Sequence, residues 1–346
     1  RIVSPIFAFL QKWVFRLLGV GLVQVRLIGI VSALGIVTFS FFLLRRELDL
    51  TVSFFCAVLI SLNYPMLVLG RQGILDPFAA ALACMALLLL LMDSKIAAFL
   101  AGVVLVGACI TKYLMVYAFL PCAVALIPVR KSFLFSFLVG IGSAATIWLL
   151  TNYLPHRELL SAYSSFYASQ QSWHPLQVAK NVVLQPFYLY FAKTPAILFF
   201  GNLMLWFLLG RFREAIKTEK ILWIWLVSGI VFFALWKYRP LRYYTSLCVP
   251  LAALAGIGIF RRRQIFENGP RILLTIGLLL PAVQLGFLLL DRLLGWNILP
   301  EQLGMETIDL VLFLALTTIA FILLYMKKTD WLVPAFLVAF LLGDVR

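Results

Sequence analysis

Long apolar runs separated by short polar segments are the main pattern along this chain. Most runs approach the roughly 20 residues that an α-helix needs to cross the hydrocarbon core of a bilayer. They lack the alternation of apolar and polar positions that is typical of a membrane-spanning β-strand. The pattern therefore predicts an all-α fold, a polytopic transmembrane helical bundle forming a single domain over residues 1–346, with about 11–12 spans. The predicted spans are 27–44, 51–69, 75–92, 96–111, 114–129, 132–154, 195–210, 221–236, 245–260, 272–290 and 309–326, with 331–344 as a twelfth.

Three segments depart from this pattern. Residues 1–26 mix apolar residues with Lys12 and Arg16, which predicts an interfacial, juxtamembrane helix. The runs 96–111 and 114–129 are short for complete spans, which indicates tilted or partly re-entrant helices joined at "TKY". Residues 155–194 are too polar to span a membrane and too aromatic for a disordered linker, so we expect an extracytoplasmic segment there.

Composition and charge agree with a membrane protein. Hydrophobic residues make up 64% of the 346 residues and charged residues 12%, and the mean hydropathy is +1.04. The net charge of +15 is spread over short loops rather than one soluble face, so we expect membrane lipids, and no nucleic acid, as partners. If Arg45 and Arg46 are cytoplasmic, alternation of the spans puts most other basic loops on the same side, as the positive-inside rule requires.

The opposite, extracytoplasmic face carries the candidate chemistry. Arg71 and Asp76 lie in "GRQGILDPF" at the start of a span. Asp76 precedes Pro77, which is typical of a residue that caps a helix N-terminus. A carboxylate at this position can also act as a general base or bind a metal, while Arg71 neutralises an anionic substrate. Both interpretations remain open, and they are compatible.

Further cations lie on the same face. Lys112 separates two short apolar segments, where its ammonium group either reaches the lipid headgroups or binds a phosphate or carboxylate. Lys237, Arg239 and Arg242 alternate with tyrosines in "WKYRPLRYY". An aromatic belt with basic anchors explains part of this pattern, but three cations on the disfavoured face fit phosphate binding better.

The segment 155–194 supplies aromatic and amide side chains that suit a sugar or an acceptor. The candidates are Tyr167, Gln171, Trp173 and His174. An interfacial helix with an aromatic girdle explains the same residues without a ligand. His174 has no second histidine or cysteine at metal-ligand spacing, which favours a hydrogen-bonded surface residue.

The order of these features resembles the GT-C superfamily of glycosyltransferases that use a polyprenyl-phosphate sugar. Within it, the chain resembles the branch of protein O-mannosyltransferases and lipid A aminoarabinose transferases. The segment 4–49 follows the course of the family's "HPPL"-like turn and first basic-ended span, "LGRQGILDPF" matches its "SRxARxD"-type loop, and "ITKY" matches its "LTKG". Near the end, "KYRPLRYYTSLCVPLAALAG" matches the family's "K…RYLLPLLPALALLAG".

This resemblance implies an enzyme that transfers a hexose or pentose from the lipid phosphate to an acceptor hydroxyl, with inversion. It implies that Asp76 is catalytic and that the donor phosphate is bound by Arg71, Lys112, Lys237, Arg239, Arg242 and Tyr243. The family's principal catalytic carboxylate lies in a loop before the "HPPL"-like turn. Because this sequence starts at that turn with Arg1, we expect a fragment that lacks the first span and its loop.

Several alternatives stay open at the level of sequence. A transporter or flippase of lipid-linked sugars would use the same cations, although transporters generally place ionisable residues near mid-membrane. A structural subunit of a cell-envelope assembly is a further alternative. The acceptor can be a protein, a lipid or a glycan, and a divalent metal cofactor is left open because Asp76 alone makes no site. Short loops and the lack of an Asn-x-Ser/Thr acceptor favour a bacterial inner membrane, with the site facing the periplasm or the outside.

Overall fold

The protein was analysed as a computed structural model that describes residues 4–127, 131–169, 194–236, 241–294, 307–326, 331–339 and 341–342. Five sequence-predicted site residues lie outside these ranges: Gln171, Trp173, His174, Lys237 and Arg239.

Helices account for nearly all of the described chain. In order they are α1 (Pro5–Leu18), α2 (Leu22–Leu44), α3 (Leu50–Leu62), α4 (Tyr64–Leu69), α5 (Leu75–Leu90), α6 (Lys95–Thr111), α7 (Phe119–Leu126), α8 (Lys131–Trp148), α9 (Arg157–Ser169), α10 (Pro195–Arg211), α11 (Lys217–Ala234), α12 (Thr245–Phe260), α13 (Arg262–Asn268), α14 (Arg271–Leu294), α15 (Thr307–Met326) and α16 (Leu332–Ala339). Two short 3₁₀ helices matter for the site, Tyr113–Ala118 and Leu241–Tyr244.

The predicted fold class is confirmed, because each predicted span overlaps at least one of these helices. By length and composition, three helices of the described chain can cross a membrane: Leu22–Leu44, Lys131–Ala162 and Arg242–Phe260. Six shorter apolar helices accompany them. The chain is therefore an integral, polytopic helical membrane protein.

Two predicted boundaries differ from the structure. The predicted first segment ends at residue 26, but α1 already ends at Leu18, and Gly19 turns the chain with a φ of +80° that favours glycine. The predicted span 51–69 is divided into α3 and α4 at Asn63, whose backbone is extended. Pro65 explains this break, since it has no N–H to continue the hydrogen bonds of α3.

Two helices form the centre of the bundle. On α12 the side chains from Thr245 to Ile259 are all buried, and α10 is buried along nearly its whole length. In contrast, α1 buries no residue and exposes Phe9, Trp13 and Leu17, as expected of a helix in the membrane interface. Its interfacial position remains a prediction.

Helices α6 and α8 are in close contact through glycines. A Cβ atom added at Gly102 would clash with the backbone of α8, and one added at Gly140 would clash with the backbone of Phe99 on α6. Small residues at such positions allow two membrane helices to approach closely enough for extensive van der Waals contact. This contact fixes one side of the helix that ends at Lys112.

We expect Gly140→Ala to lower the stability of the protein. The added methyl group has no room against Phe99, and overpacking of this kind costs about 1–3 kcal/mol. Gly142→Ala on the same helix is the matched control, because its Cβ would meet no atom within 4 Å. Thermal unfolding in detergent should show a lower midpoint for Gly140→Ala only. Equal midpoints for the two variants would contradict the close packing of α6 and α8.

A buried ion pair closes one end of the bundle. Glu219 is 0% exposed, and Arg261 Nη1 lies 2.8 Å from its Oε1. Glu219 Oε2 accepts a hydrogen bond of 3.2 Å from the Ile216 backbone N–H. Close by, Glu47 Oε2 accepts a hydrogen bond of 2.7 Å from the Thr218 backbone N–H. These bonds cap the start of α11, so this carboxylate has a structural role. We call the end of the bundle with Glu219 and Arg261 the opposite end. A second buried ion pair lies at the other end of the bundle.

Candidate functional site

The second buried ion pair brings together two of the candidate site residues. Lys112 Nζ lies 3.1 Å from Asp76 Oδ1, and the two side chains are only 14% and 5% exposed. Asp76 lies where α5 begins and Lys112 where α6 ends, and these antiparallel neighbours therefore place both residues at one end of the bundle. We call it the site end.

Asp76 does not cap its helix, so the capping interpretation left open by the sequence is wrong. Helix α5 begins at Leu75, Ile74 occupies the N-cap position, and no side chain makes a cap hydrogen bond there. Asp76 therefore lies inside the first turn, with its carboxylate directed to Lys112. A buried carboxylate that serves no capping role, unlike Glu219, is a better candidate for chemistry.

A break in the helix positions Lys112. Its backbone is extended and ends α6, although its N–H still donates to the Ala108 carbonyl oxygen at 2.8 Å. Its own carbonyl oxygen accepts from Met115 N–H at 2.8 Å and so begins the 3₁₀ helix. If α6 continued regularly through Lys112, the side chain of Lys112 would point in a different direction. The break holds it in place against Asp76.

An aromatic ring lies close to two cations of the site. Lys112 Nζ is 4.5 Å from the centroid of the Tyr243 ring, and the Arg242 guanidinium carbon is 5.8 Å from the same centroid. Tyr243 is 4% exposed and its ring stacks on Phe233 at 6.4 Å. Cation–π attraction of about 0.5–2 kcal/mol per contact helps to hold both cations here. Arg242 remains exposed, so its charge is available to a ligand.

Sequence reasoning missed the polar contact beneath these residues. The hydroxyl groups of Tyr117 and Ser246 are hydrogen-bonded to each other in the core and join the 3₁₀ helix after Lys112 to the start of α12. The Thr245 hydroxyl donates to the Arg242 carbonyl oxygen at 2.7 Å, which fixes the turn that carries Tyr243. Tyrosine and serine within otherwise apolar runs were the available signal, because a buried hydroxyl requires a partner.

Arg71 lies apart from this ion pair. Its guanidinium is exposed and Nε donates to the Leu67 carbonyl oxygen at 2.8 Å, at the end of α4. The loop that carries it lies close to α2, since a Cβ added at Gly29 would clash with Gln72 and one added at Gly73 with Val25. The described ion pairs do not include Arg71. Its role in binding phosphate remains a prediction.

The other predicted site residues are not placed by the described structure. Lys237, Arg239, Gln171, Trp173 and His174 lie outside the described residues, and Tyr167 lies on α9, where only its backbone is described. Among the described residues, no group of three or more His, Cys, Asp and Glu side chains could hold a metal ion. Binding of a divalent metal by residues outside the described ranges is not tested by this structure.

The site can bind an anion and supply a base. Lys112 and Arg242 provide two positive charges and Asp76 one negative charge, so the cluster retains a net positive charge. Buried groups that carry full charge interact strongly with a ligand, because little water screens them. The apolar helices behind the cluster offer a surface for a hydrocarbon chain. Together these features suit a phosphate attached to a lipid.

Comparison with solved structures identifies a protein of the same fold. The crystal structure of ArnT from Cupriavidus metallidurans bound to undecaprenyl phosphate matches with a TM-score of 0.60 and 16% sequence identity. The match covers 99% of this chain and 65% of the ArnT chain. The apo structure of the same ArnT matches with a TM-score of 0.55, 17% identity and the same coverage. The chain therefore shares the ArnT fold and spans 65% of that protein's length.

The comparisons by sequence add no relative. No protein-family model matches the chain, and no curated protein matches it either. The likeness to ArnT is thus a likeness of fold.

Proposed function

We propose that the chain is a membrane glycosyltransferase of the GT-C superfamily, which moves a sugar from a polyprenyl-phosphate donor to an acceptor hydroxyl. The observation that carries the proposal is the buried ion pair of Lys112 and Asp76, placed against Tyr243 and beside the exposed Arg242. The ArnT fold supports it, since one of the ArnT structures holds undecaprenyl phosphate. The resemblance of "LGRQGILDPF", "ITKY" and "KYRPLRYY" to family motifs supports it further.

In this proposal, the cations bind the donor phosphate. Lys112 and Arg242, which both lie close to the Tyr243 ring, contact the phosphate oxygens, with Arg71, Lys237 and Arg239 completing the set. During transfer the bond between the sugar's anomeric carbon and the phosphate oxygen breaks, and its electron pair stays with the phosphate. The cations stabilise the negative charge that develops on this leaving group.

Asp76 is proposed to take the proton of the acceptor. As the acceptor oxygen forms its bond to the anomeric carbon on the face opposite the phosphate, its proton passes to the carboxylate. The reaction is balanced by a phosphate-terminated lipid, a glycosylated acceptor and a protonated Asp76, and inversion follows from the opposite-face attack. General-base catalysis of this kind contributes about 10²–10⁴-fold to a rate.

The ion pair links these two roles. While Lys112 Nζ holds Asp76 Oδ1 at 3.1 Å, the carboxylate faces a cation rather than an acceptor hydroxyl. The donor phosphate competes with Asp76 for Lys112, and its binding releases the carboxylate towards the acceptor. The base is thus activated only when the donor is present.

The sugar, the acceptor and the membrane remain at the level of proposals. We propose a hexose or pentose donor and a protein, lipid or glycan acceptor, with Tyr167, Gln171, Trp173 and His174 as contacts from the segment after α8. We propose a bacterial inner membrane with the site end facing the periplasm. No observation favours a flippase specifically, and the concentration of charged site residues at one end argues for an enzyme.

Binding of the donor tests the proposal. We expect the purified protein in detergent to bind a polyprenyl-phosphate sugar and to ignore the corresponding polyprenol without phosphate. Arg71→Ala should weaken this binding by about 10- to 100-fold, because loss of one hydrogen bond to a charged group costs about 1.5–3 kcal/mol. Arg16→Ala on α1 is the control, since it removes an exposed cation outside the site. Equal binding of the two lipids would reject a phosphate site.

A further inference from the structure

A cavity of about 310 Å³ lies at the opposite end of the bundle, far from Asp76. It is lined by Phe42, Arg45, Arg46, Leu88 and Met92. Helix α5 connects the two regions, and the rise of 1.5 Å per residue puts Leu88 roughly 18 Å from Asp76 along its axis. The cavity is therefore separate from the proposed donor site, and a ligand can bind there whether or not the protein is a transferase.

The walls of this cavity have two chemical characters. Phe42, Leu88 and Met92 form an apolar wall between the last turn of α2 and the end of α5, while two adjacent guanidinium groups form the mouth. Arg45 Nη1 donates to the Leu48 carbonyl oxygen at 3.0 Å, which holds its side chain in place. Both arginines are exposed.

Within the described ranges, neither Arg45 nor Arg46 forms an ion pair. In the part of the chain that the structure describes, the ion pairs join Lys112 to Asp76, Arg211 to Glu214 and Arg261 to Glu219. The neighbouring carboxylate of Glu47 accepts a hydrogen bond from Thr218 N–H. Two exposed guanidinium groups without an ion-pair partner, beside an apolar cavity, suit a ligand that has both an anionic group and a hydrocarbon chain.

We infer that this cavity binds an anionic phospholipid, with its phosphate between Arg45 and Arg46 and the upper part of one acyl chain along Phe42, Leu88 and Met92. Guanidinium groups bind phosphate oxygens in bidentate geometry. The volume is at the lower limit of small-ligand sites, which suits a headgroup and the start of a chain rather than a whole lipid. The position beyond the ends of α2 and α5 is where lipid headgroups lie. A lipid here would bridge α2 and α5 at the end opposite the proposed donor site.

Lipid retention by the full chain tests this inference. The protein would be purified from vesicles of phosphatidylcholine containing one fifth phosphatidylglycerol, and co-purified lipid measured by native mass spectrometry. We expect about one phosphatidylglycerol molecule per chain to be retained in preference to phosphatidylcholine. Arg45→Ala combined with Arg46→Ala should lower that retention by about 10-fold or more, and added inorganic phosphate should not displace the lipid.

Two variants separate a built site from general surface charge. Arg213→Ala with Arg271→Ala removes the same charge from exposed positions outside the cavity and should keep the lipid. Met92→Trp fills the cavity while keeping both arginines and should lose it, which carries the test if the double arginine variant does not fold. Equal loss in the Arg213 and Arg271 control would overturn the inference, as would retention in Met92→Trp or equal retention of phosphatidylcholine.

Discussion

Replacing Lys112 by alanine should both weaken donor binding and destabilise the protein. The variant leaves the carboxylate of Asp76 buried without its partner, and breaking a buried pair in this way costs about 3–5 kcal/mol. The donor phosphate loses a charge-assisted hydrogen bond as well, so its affinity should fall by about 10- to 100-fold. Thermal unfolding and binding of a polyprenyl-phosphate sugar measure the two effects separately.

The control for this variant lies on the same helix. Lys95→Ala removes an exposed lysine from the first turn of α6, at the opposite end, and should change neither quantity. Combining Lys112→Met with Asp76→Asn removes both charges, so we expect stability to recover while donor binding stays weak. If the double variant recovered donor binding together with stability, Lys112 would be a structural residue only.

Asp76→Asn should separate binding from chemistry. Asparagine keeps the shape of the side chain but cannot accept a proton, so the rate of sugar transfer should fall by about 10²–10⁴-fold. Lys112 no longer has a carboxylate partner in this variant, and the phosphate need not compete for it. Donor affinity should therefore be unchanged or higher.

Single-turnover release of polyprenyl phosphate and equilibrium donor binding are the two measurements for Asp76→Asn. A variant that transfers sugar at the wild-type rate would remove Asp76 from the chemistry. Loss of donor binding would instead show that the carboxylate organises the phosphate site, contrary to the competition proposed for Lys112.

Most of the helical architecture could be predicted from the sequence because breakers bound the apolar runs. The predicted span 75–92 corresponds to α5 at Leu75–Leu90, with "GRQG" before it and "DSK" after it. The predicted junction at "TKY" is the end of α6 at Lys112. The break between α3 and α4 escaped prediction, although Pro65 signals it, because the surrounding run is uniformly apolar.

The partner of Asp76 could not be predicted from local spacing. Arg71, five positions before it, is the nearest cation in the sequence, yet the structure pairs Asp76 with Lys112 at the far end of the next helix. Alternation of the spans had placed both residues on one face, but face alone does not determine which side chains meet. That depends on how α5 and α6 pack, and the close contact of α6 with α8 at Gly140 is one of the tertiary constraints.

Local sequence also failed to predict two other features: the position of Asp76 within its helix, and the ion pair of Glu219 at the opposite end. "DP" predicts an N-cap, but the burial of the carboxylate against Lys112 prevails over that local preference. Glu219 gave no signal in the sequence, since its partner Arg261 follows only after both α11 and α12. Contacts between elements decided both cases.

Photo-crosslinking of the donor shows directly whether it binds at the Asp76–Lys112 pair. A polyprenyl-phosphate sugar with a photoreactive group next to its phosphate would be irradiated with the intact protein in membranes, and the labelled peptides mapped by mass spectrometry. We expect labels within residues 70–76, 111–117 and 241–244. Excess unlabelled polyprenyl phosphate should suppress these labels. Labels confined to the opposite end, around Arg45 and Arg46, or unaffected by the competitor, would contradict a donor site at the Asp76–Lys112 pair.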